Sequence, residues 1–263
     1  MTRLGRLLVA VAALMPAAGF FWSVPAVAGT LAPAKVAAVQ KAAGEFVKMA
    51  APSRQTGQAP READARAKRL LDTVFDIRAV SAAEPLPFSE IGRVNDWNKA
   101  VLEVGMVYIL AGSRAADLSQ ASNDPGFLKQ VEKNTVDFAP EMGRYIDAQL
   151  GISQALLALL SAHLAANPAD REKPYFKKNL PTVYESAAQT LTGAISTLPT
   201  AGLSDAWRSQ RLPALQSLGP HVAKVVDADD AKTLHDMSLQ AGQGSSDKEL
   251  QAGLAKLAAT FKR

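Results

Sequence analysis

Apolar residues recur along this chain at the three- and four-residue spacing of an α-helix, and Pro and Gly stand mostly between these stretches. Strand-favouring residues do not alternate with polar ones as they would in a half-buried β-strand. The sequence therefore predicts an all-α protein. In the longest stretch, a helix predicted over residues 140–167, one apolar stripe is formed by Met142, Ile146, Leu150, Leu157, Leu160 and Leu164.

The same spacing predicts eight or nine helices joined by short polar connections. An antiparallel multi-helix bundle of about eight helices is the default architecture for such a pattern, and a helical-hairpin stack is the alternative. The predicted helices cover residues 33–50, 61–77, 89–119, 127–138, 140–167, 181–198, 204–226 with a break near Pro220, 229–241 and 246–261.

The first 28 residues have the composition of a secretory signal peptide. Arg3 and Arg6 precede an apolar run over residues 7–22, and Ala26-Val27-Ala28 supplies the small residues of a cleavage site. A retained membrane anchor is the alternative, because about 16 apolar residues fall just short of the roughly 17 to 25 that a spanning helix needs. We expect cleavage after Ala28 and a periplasmic or secreted protein, with membrane attachment only if the signal is retained.

Residues 29–60 read as an amino-terminal helix and a polar linker, and residues 61–263 as an all-helical domain long enough to bury a sizeable core. The first helix is expected to be the part that moves or docks elsewhere. The chain has no cysteine, so disulfides are impossible, and an exported chain of this kind suits a bacterial periplasm.

The charge pattern argues against nucleic acid as a partner. The formal net charge of +4 falls to +2 once Arg3 and Arg6 leave with the signal peptide, and the remaining charges are mixed. A protein that neutralises phosphates carries a clustered stripe of Lys and Arg, which this sequence lacks.

Few residues are suited to metal or cofactor chemistry. The three histidines, His163, His221 and His235, lie outside any HExxH or Glu-x-x-His pattern, so neither a metal nor a cofactor is expected. The acids of Asp227–Asp230 lack the glycine and distal glutamate of a calcium loop, and they are interpreted as a helix cap. Glu103 is expected on a polar seam beside Lys99. No phosphate-binding loop or nucleophile motif occurs.

The stretch DFAPEMGRYID, residues 137–147, concentrates charge in a way that first suggests an active site. Pro140 can begin a helix, and Glu141 then suits its positively polarised first turn. Arg144 projects away from the apolar stripe, with Glu141 and Asp147 three residues to either side. This spacing predicts a solvated ladder of three charges, and Glu141, Arg144 and Asp147 are accordingly predicted as a partner-binding surface rather than as catalytic residues.

Two functions are compatible with this sequence. The favoured one is a non-enzymatic interaction or ligand-binding module of the cell envelope, with an envelope protein or a small apolar ligand as partner. Its pocket is expected between apolar helices around Met106 and Leu157. The alternative is a periplasmic hydrolase of envelope glycans, which needs only two carboxylates, although the sequence does not select the pair.

Overall fold

The helices of the chain form an all-α bundle, which confirms the predicted fold class. The computed structural model describes residues 29–81, 84–113 and 126–262, and within these ranges there is no β-strand. The predicted signal peptide lies outside the described residues. The α-helices are α1 (Pro33–Met49), α2 (Ser53–Thr56), α3 (Ala65–Phe75), α4 (Ile91–Ile109), α5 (Phe127–Asp137), α6 (Ala139–Ala166), α7 (Pro174–Thr197), α8 (Asp205–Ser209), α9 (Leu212–Ala223), α10 (Ala228–Gln243) and α11 (Lys248–Thr260).

Helix α6 is the centre of the bundle. It packs against α3, α4 and α5 from the amino-terminal part of the chain and against α7 and α9 from the carboxy-terminal part. Helices α10 and α11 pair closely with each other and close the bundle against α7 and α9. Among the described residues, α6 is also the one helix whose length and composition would allow it to cross a membrane. Its predicted apolar stripe is buried throughout.

Helix α1 is an integral part of the core, contrary to the expected separate segment. It packs on α3 and α4, and Val39, Ala43 and Phe46 are almost completely buried there. Just before α1, the Leu31 N–H donates to Glu90 Oε2 at 3.3 Å. The apolar face of α1 is therefore covered within the same molecule, as the stability of an amphipathic helix requires.

Several predicted boundaries are wrong, for reasons that concern proline. Helix α3 begins after Asp64, whose carboxylate caps the amides of Arg66 and Ala67, rather than at Pro60. Helix α7 begins with Pro174 in its first turn and continues through Pro181, which had been predicted as its start. Because proline fits the first turn of a helix, Pro60 and Pro181 each offered a possible start. The structure uses the capping residue Asp64 for α3 and an earlier proline, Pro174, for α7.

Other helix ends also differ from the prediction. Helix α4 ends at Ile109, well before residue 119, and turns follow at residues 110–112, just before the end of the described range at residue 113. The break predicted near Pro220 lies instead between α8 and α9, and Pro220 is inside α9. The predicted Asp227 cap is confirmed, because its Oδ1 accepts from the Asp230 amide at 2.8 Å.

Candidate functional site: an apolar cavity and a polar groove

Glu141 is buried, which contradicts its predicted place on a solvated surface. The residue is 2 % exposed, and Oε1 accepts from the Glu62 amide at 2.8 Å. Its second oxygen, Oε2, is buried without a hydrogen-bond partner among the described residues. Close by, the Tyr108 hydroxyl donates to the Pro60 carbonyl at 2.9 Å. Both contacts tie the segment that precedes α3 to the bundle.

Arg144 is half-buried and pairs with acids from outside its own helix. Its guanidinium lies 2.5 Å from Glu62 Oε1 and 2.9 Å from Asp72 Oδ1. It also lies over the ring of Phe75, 5.6 Å from the centroid. Arg144 therefore joins α6 to α3 rather than to Glu141 and Asp147.

Asp147 pairs with a residue from the carboxy-terminal part of the bundle. Its Oδ2 lies 2.9 Å from Nη2 of Arg211, a residue that is only 5 % exposed. The Arg211 guanidinium packs against α6 at Gly143, where a Cβ would come within 2.3 Å of Nη2. Although 39 % of the Asp147 side chain is exposed, its Oδ1 is buried, and burial raises the pKa of this carboxyl against the opposing effect of Arg211.

The predicted ladder of Glu141, Arg144 and Asp147 is therefore wrong in its pairing and in its exposure. Hydrophobic periodicity correctly found the core face of α6, but it does not show which neighbours cover the opposite side. Here that side is covered by the segment before α3 and by the residues between α8 and α9. A partner-binding role for the exposed parts of Arg144 and Asp147 stays a prediction.

A small apolar cavity lies between α4, α5, α6 and α7. Its volume is about 60 Å³, room for roughly four to six water-sized groups. On the α7 side only small residues border it, and they follow the helical spacing i, i+3, i+4, i+7. The lining residues are Ile109, Val131, Thr135, Met142, Tyr145, Ile146, Gln149, Thr190, Gly193, Ala194 and Thr197.

Tyr145 is the unusual residue of this cavity. The residue is 5 % exposed, and its hydroxyl is buried without a hydrogen-bond partner among the described residues. Burial raises the pKa of Tyr145, so the hydroxyl keeps its proton and is a donor. The ring lies directly against α4 at Gly105, where a Cβ would come within 2.2 Å of it.

The cavity lies near the predicted pocket position but has other lining residues. Met106 and Leu157, which were expected to border a pocket, do not line this cavity, although its walls include the same helices α4 and α6. The small residues of α7 gave a signal that the sequence interpretation missed. Their spacing marks a helix face that leaves room beside the bulkier core residues of α6.

A larger polar groove lies on the surface between the α2–α3 connection and α5. Its volume is about 540 Å³, and its lining residues are Thr56, Gly57, Gln58, Ala59, Arg61, Gln130, Lys133 and Asp137. Arg61 Nη1 donates to the Asp137 carbonyl at 2.5 Å, and its guanidinium lies 4.7 Å from the Phe138 ring centroid. Lys133 pairs with the Asp137 carboxylate.

The remaining sequence candidates have ordinary structural positions. Glu103 is exposed, and Lys99 lies 3.6 Å from Asp96 instead of pairing with Glu103.

His235 contacts the Ala258 carbonyl through Nδ1 at 2.9 Å. His163 contacts Asp170 at 3.0 Å and stacks on Phe88 with a centroid distance of 4.2 Å. Within the described ranges, no three His, Asp or Glu side chains are grouped to hold a metal ion.

Comparison with known proteins gives no relative for this chain: no family model matches it, and no curated protein or solved structure matches it either. The cavity and the groove are therefore interpreted from their own chemistry.

Proposed function

We propose that this protein is a non-enzymatic binding module of the cell envelope that holds a small, mainly apolar ligand in the cavity between α4 and α7. The observation that carries the proposal is that Tyr145 lines the cavity and that its buried hydroxyl has no hydrogen-bond partner among the described residues. A buried polar group without a partner costs about 1–3 kcal/mol. Phenylalanine would fill the same space without that cost, so a ligand that accepts a hydrogen bond would account for the tyrosine.

The other polar groups of the cavity support this assignment of the donor. The three threonine hydroxyls are already bonded to their own helices, because Thr135, Thr190 and Thr197 each donate to the carbonyl four residues earlier at 2.8 to 2.9 Å. Gln149 donates through Nε2 to Asn98 at 3.1 Å. Tyr145 is thus the donor of the wall best placed to bind a ligand oxygen. The cavity volume suits a compact body of a few carbon atoms bearing one such acceptor.

The arrangement of acids favours binding over glycan hydrolysis, the alternative function. Glycoside cleavage needs two carboxylates, about 5–10 Å apart, on either side of the substrate. Asp137 is the one acid among the residues that line the groove, and the lining of the apolar cavity includes none. These linings supply a binding surface rather than an acid and base pair.

Cyclopentanone and cyclopentane are suitable probes, because they differ only in a carbonyl oxygen and approach the size of the cavity. In NMR spectra of the isotope-labelled protein, titration with a probe that binds should shift the amide resonances of cavity residues such as Gln149, Ala194 and Thr197. Gly193→Leu should abolish these shifts, since it adds bulk to a cavity-lining position where a Cβ meets nothing within 4 Å. Gly44→Leu on α1 is the matched control, because its surroundings are equally open.

Binding that persists in Gly193→Leu would place the probe outside the cavity, and absence of any shift in the wild-type protein would refute the proposed site. Export is a separate part of the proposal and rests on the composition of residues 1–28. Amino-terminal sequencing of the mature protein tests it. Cleavage after Ala28 is expected, and a mature protein that keeps those residues would contradict it.

A further inference from the structure

The polar groove has features that the proposed function does not use. It lies on the surface, between the α2–α3 connection and α5, and its lining residues differ from those of the apolar cavity. Its volume of about 540 Å³ is within the range of roughly 300–1,000 Å³ that is typical of small-molecule sites. Two of its lining side chains are cations and one is an acid, so the groove carries a net positive charge.

The first cation, Arg61, is held in place by two contacts. One N–H donates to the Asp137 carbonyl at 2.5 Å, and the guanidinium lies over the Phe138 ring. A guanidinium carries five N–H donors in a fixed planar arrangement, so it can keep the carbonyl contact and still donate to an oxyanion. Because its position is already fixed, binding costs less side-chain entropy than a mobile arginine would lose.

The second cation, Lys133, is easily recruited by a ligand. It pairs with Asp137, but its side chain is 64 % exposed. An ion pair exposed to solvent contributes little free energy, typically about 0–1 kcal/mol. An incoming oxyanion can therefore compete with Asp137 for the ammonium group.

The rest of the groove is suited to hydroxyl groups. Gln58 and Gln130 supply side-chain amides, and the Nε2 of Gln130 donates to Asn134 at 2.8 Å, which orients its amide. The backbone on this side is fixed by Gly57 and Gly112, whose φ angles are +70° and +72°. An L side chain would be strained at either position, so the wall depends on these glycines.

We propose that this groove binds a small, hydroxyl-rich molecule that carries an oxyanion, with Arg61 and Lys133 as the anion-binding residues. The oxyanion could belong to a carboxylate or to a phosphate, and two probes distinguish these sources. Glucuronate carries the carboxylate, glucose 6-phosphate carries the phosphate, and glucose is the neutral control for the same hydroxyl-rich ring.

Calorimetric titration of the full mature protein at low salt tests the proposal. One of the two anions should bind at least about tenfold more tightly than glucose, because a charged acceptor roughly doubles the strength of a hydrogen bond. Raising the ionic strength should weaken this binding, since the groove is open to solvent. The tighter-binding anion identifies the group for which the groove is suited.

Substitutions show whether an anion binds in the groove or only to the general charge of the surface. Lys133→Gln should weaken anion binding at least about threefold and Arg61→Gln about tenfold or more, whereas Lys129→Gln should leave it within about twofold. Lys129 is the matched control, because it is exposed on the same helix and loses the same charge without lining the groove. Should Arg61→Gln impair folding, Lys133→Gln decides, because its exposed side chain contributes little to stability.

Two results would overturn the proposal. The first is that neither anion binds the wild-type protein at concentrations up to about 10 mM, an affinity too weak for a specific site. The second is that Lys133→Gln and Lys129→Gln bind the anions equally well. Neither result bears on the apolar cavity, because the groove and the cavity share no lining residue. For the same reason, Gly193→Leu should leave anion binding unchanged.

Discussion

Asp147 on α6 and Arg211, the residue before α9, form an ion pair in which Oδ2 lies 2.9 Å from Nη2. Arg211 also lies over the Trp207 ring, 4.5 Å from its centroid, and the Trp207 indole donates to the Ala139 carbonyl at 2.6 Å. These contacts join the start of α6 to α8 and α9 on a side of the helix where periodicity predicted solvent. The central helix thus uses polar contacts on one side as well as apolar packing on the other.

Loss of the Asp147 carboxylate should destabilise the protein measurably. Asp147→Ala leaves a nearly buried guanidinium without its ion partner, which would cost about 3–5 kcal/mol for a fully buried pair. Because Asp147 is partly exposed, water reduces the expected cost to about 1–3 kcal/mol. Urea unfolding measures this difference. A cost below about 0.5 kcal/mol, the range of ordinary surface substitutions, would show that the pair is unimportant.

Gly143→Ala should displace Arg211. The added Cβ would lie 2.3 Å from Nη2 and 2.7 Å from Cζ, so the guanidinium must move away from Asp147. We expect destabilisation of about 1–3 kcal/mol, the usual cost of overpacking. Gly193→Ala is the control, because nothing lies within 4 Å of its added Cβ, and alanine should stabilise that helix by up to about 1 kcal/mol. Equal melting temperatures for both variants would argue against the close approach.

The pH dependence of stability should have opposite signs at Asp147 and Asp72. Burial raises the pKa of Asp147, whereas the Lys68 ammonium and then the Arg144 guanidinium lower the pKa of Asp72. A raised pKa gives stability that is present below the ordinary value of 3.8 and is lost as pH rises through the folded-state pKa. A lowered pKa gives stability that is present above the ordinary value and is lost as pH falls.

Unfolding free energies of the wild-type protein, Asp147→Asn and Asp72→Asn between about pH 3 and pH 6 test this contrast. As pH rises, the wild-type protein should lose stability relative to Asp147→Asn and gain it relative to Asp72→Asn. Parallel curves for the two comparisons would show that the two carboxyls do not differ in their folded environments.

The contacts of Arg144 should control the segment before α3. Arg144→Met keeps packing against Phe75 but removes the links to Glu62 and Asp72. The Glu62 amide, which donates to Glu141, should then exchange faster with deuterium because the segment opens locally more often. The amide of Leu254, in the buried core of α11, should keep its exchange rate. Unchanged exchange at Glu62 would show that Glu141 and Tyr108 hold the segment without Arg144.

The helical parts of the fold could be predicted because their signals are local. The start of α6, which has Pro140 in its first turn, and its buried stripe from Met142 to Leu164 follow from proline geometry and from periodicity. Local patterns do not determine tertiary approach. Nothing in the spacing of Glu141, Arg144 and Asp147 shows that chain segments distant in sequence supply their partners.

Glycines within α6 mark the positions where distant segments approach the helix, and the sequence interpretation did not use them. Gly143 and Gly151 lie within a helix where glycine is unfavourable, and each admits a side chain from elsewhere, Arg211 and Ile77 respectively. The cavity has a similar origin, because the small residues of α7 leave space that the facing helices do not fill. Whether such a face packs tightly or leaves a cavity depends on side chains from three other helices, which periodicity along one helix does not show.

The measurement that tests the proposed ligand site most directly is the preference for cyclopentanone over cyclopentane in the wild-type protein and in Tyr145→Phe. If the Tyr145 hydroxyl donates to the ligand, the substitution should reduce that preference by about 2- to 13-fold, equivalent to one hydrogen bond of about 0.5–1.5 kcal/mol. Tyr145→Phe should leave the affinity for cyclopentane and the melting temperature unchanged or raise them. An identical preference in the two proteins would contradict the assignment of Tyr145 as the ligand-binding donor of the cavity.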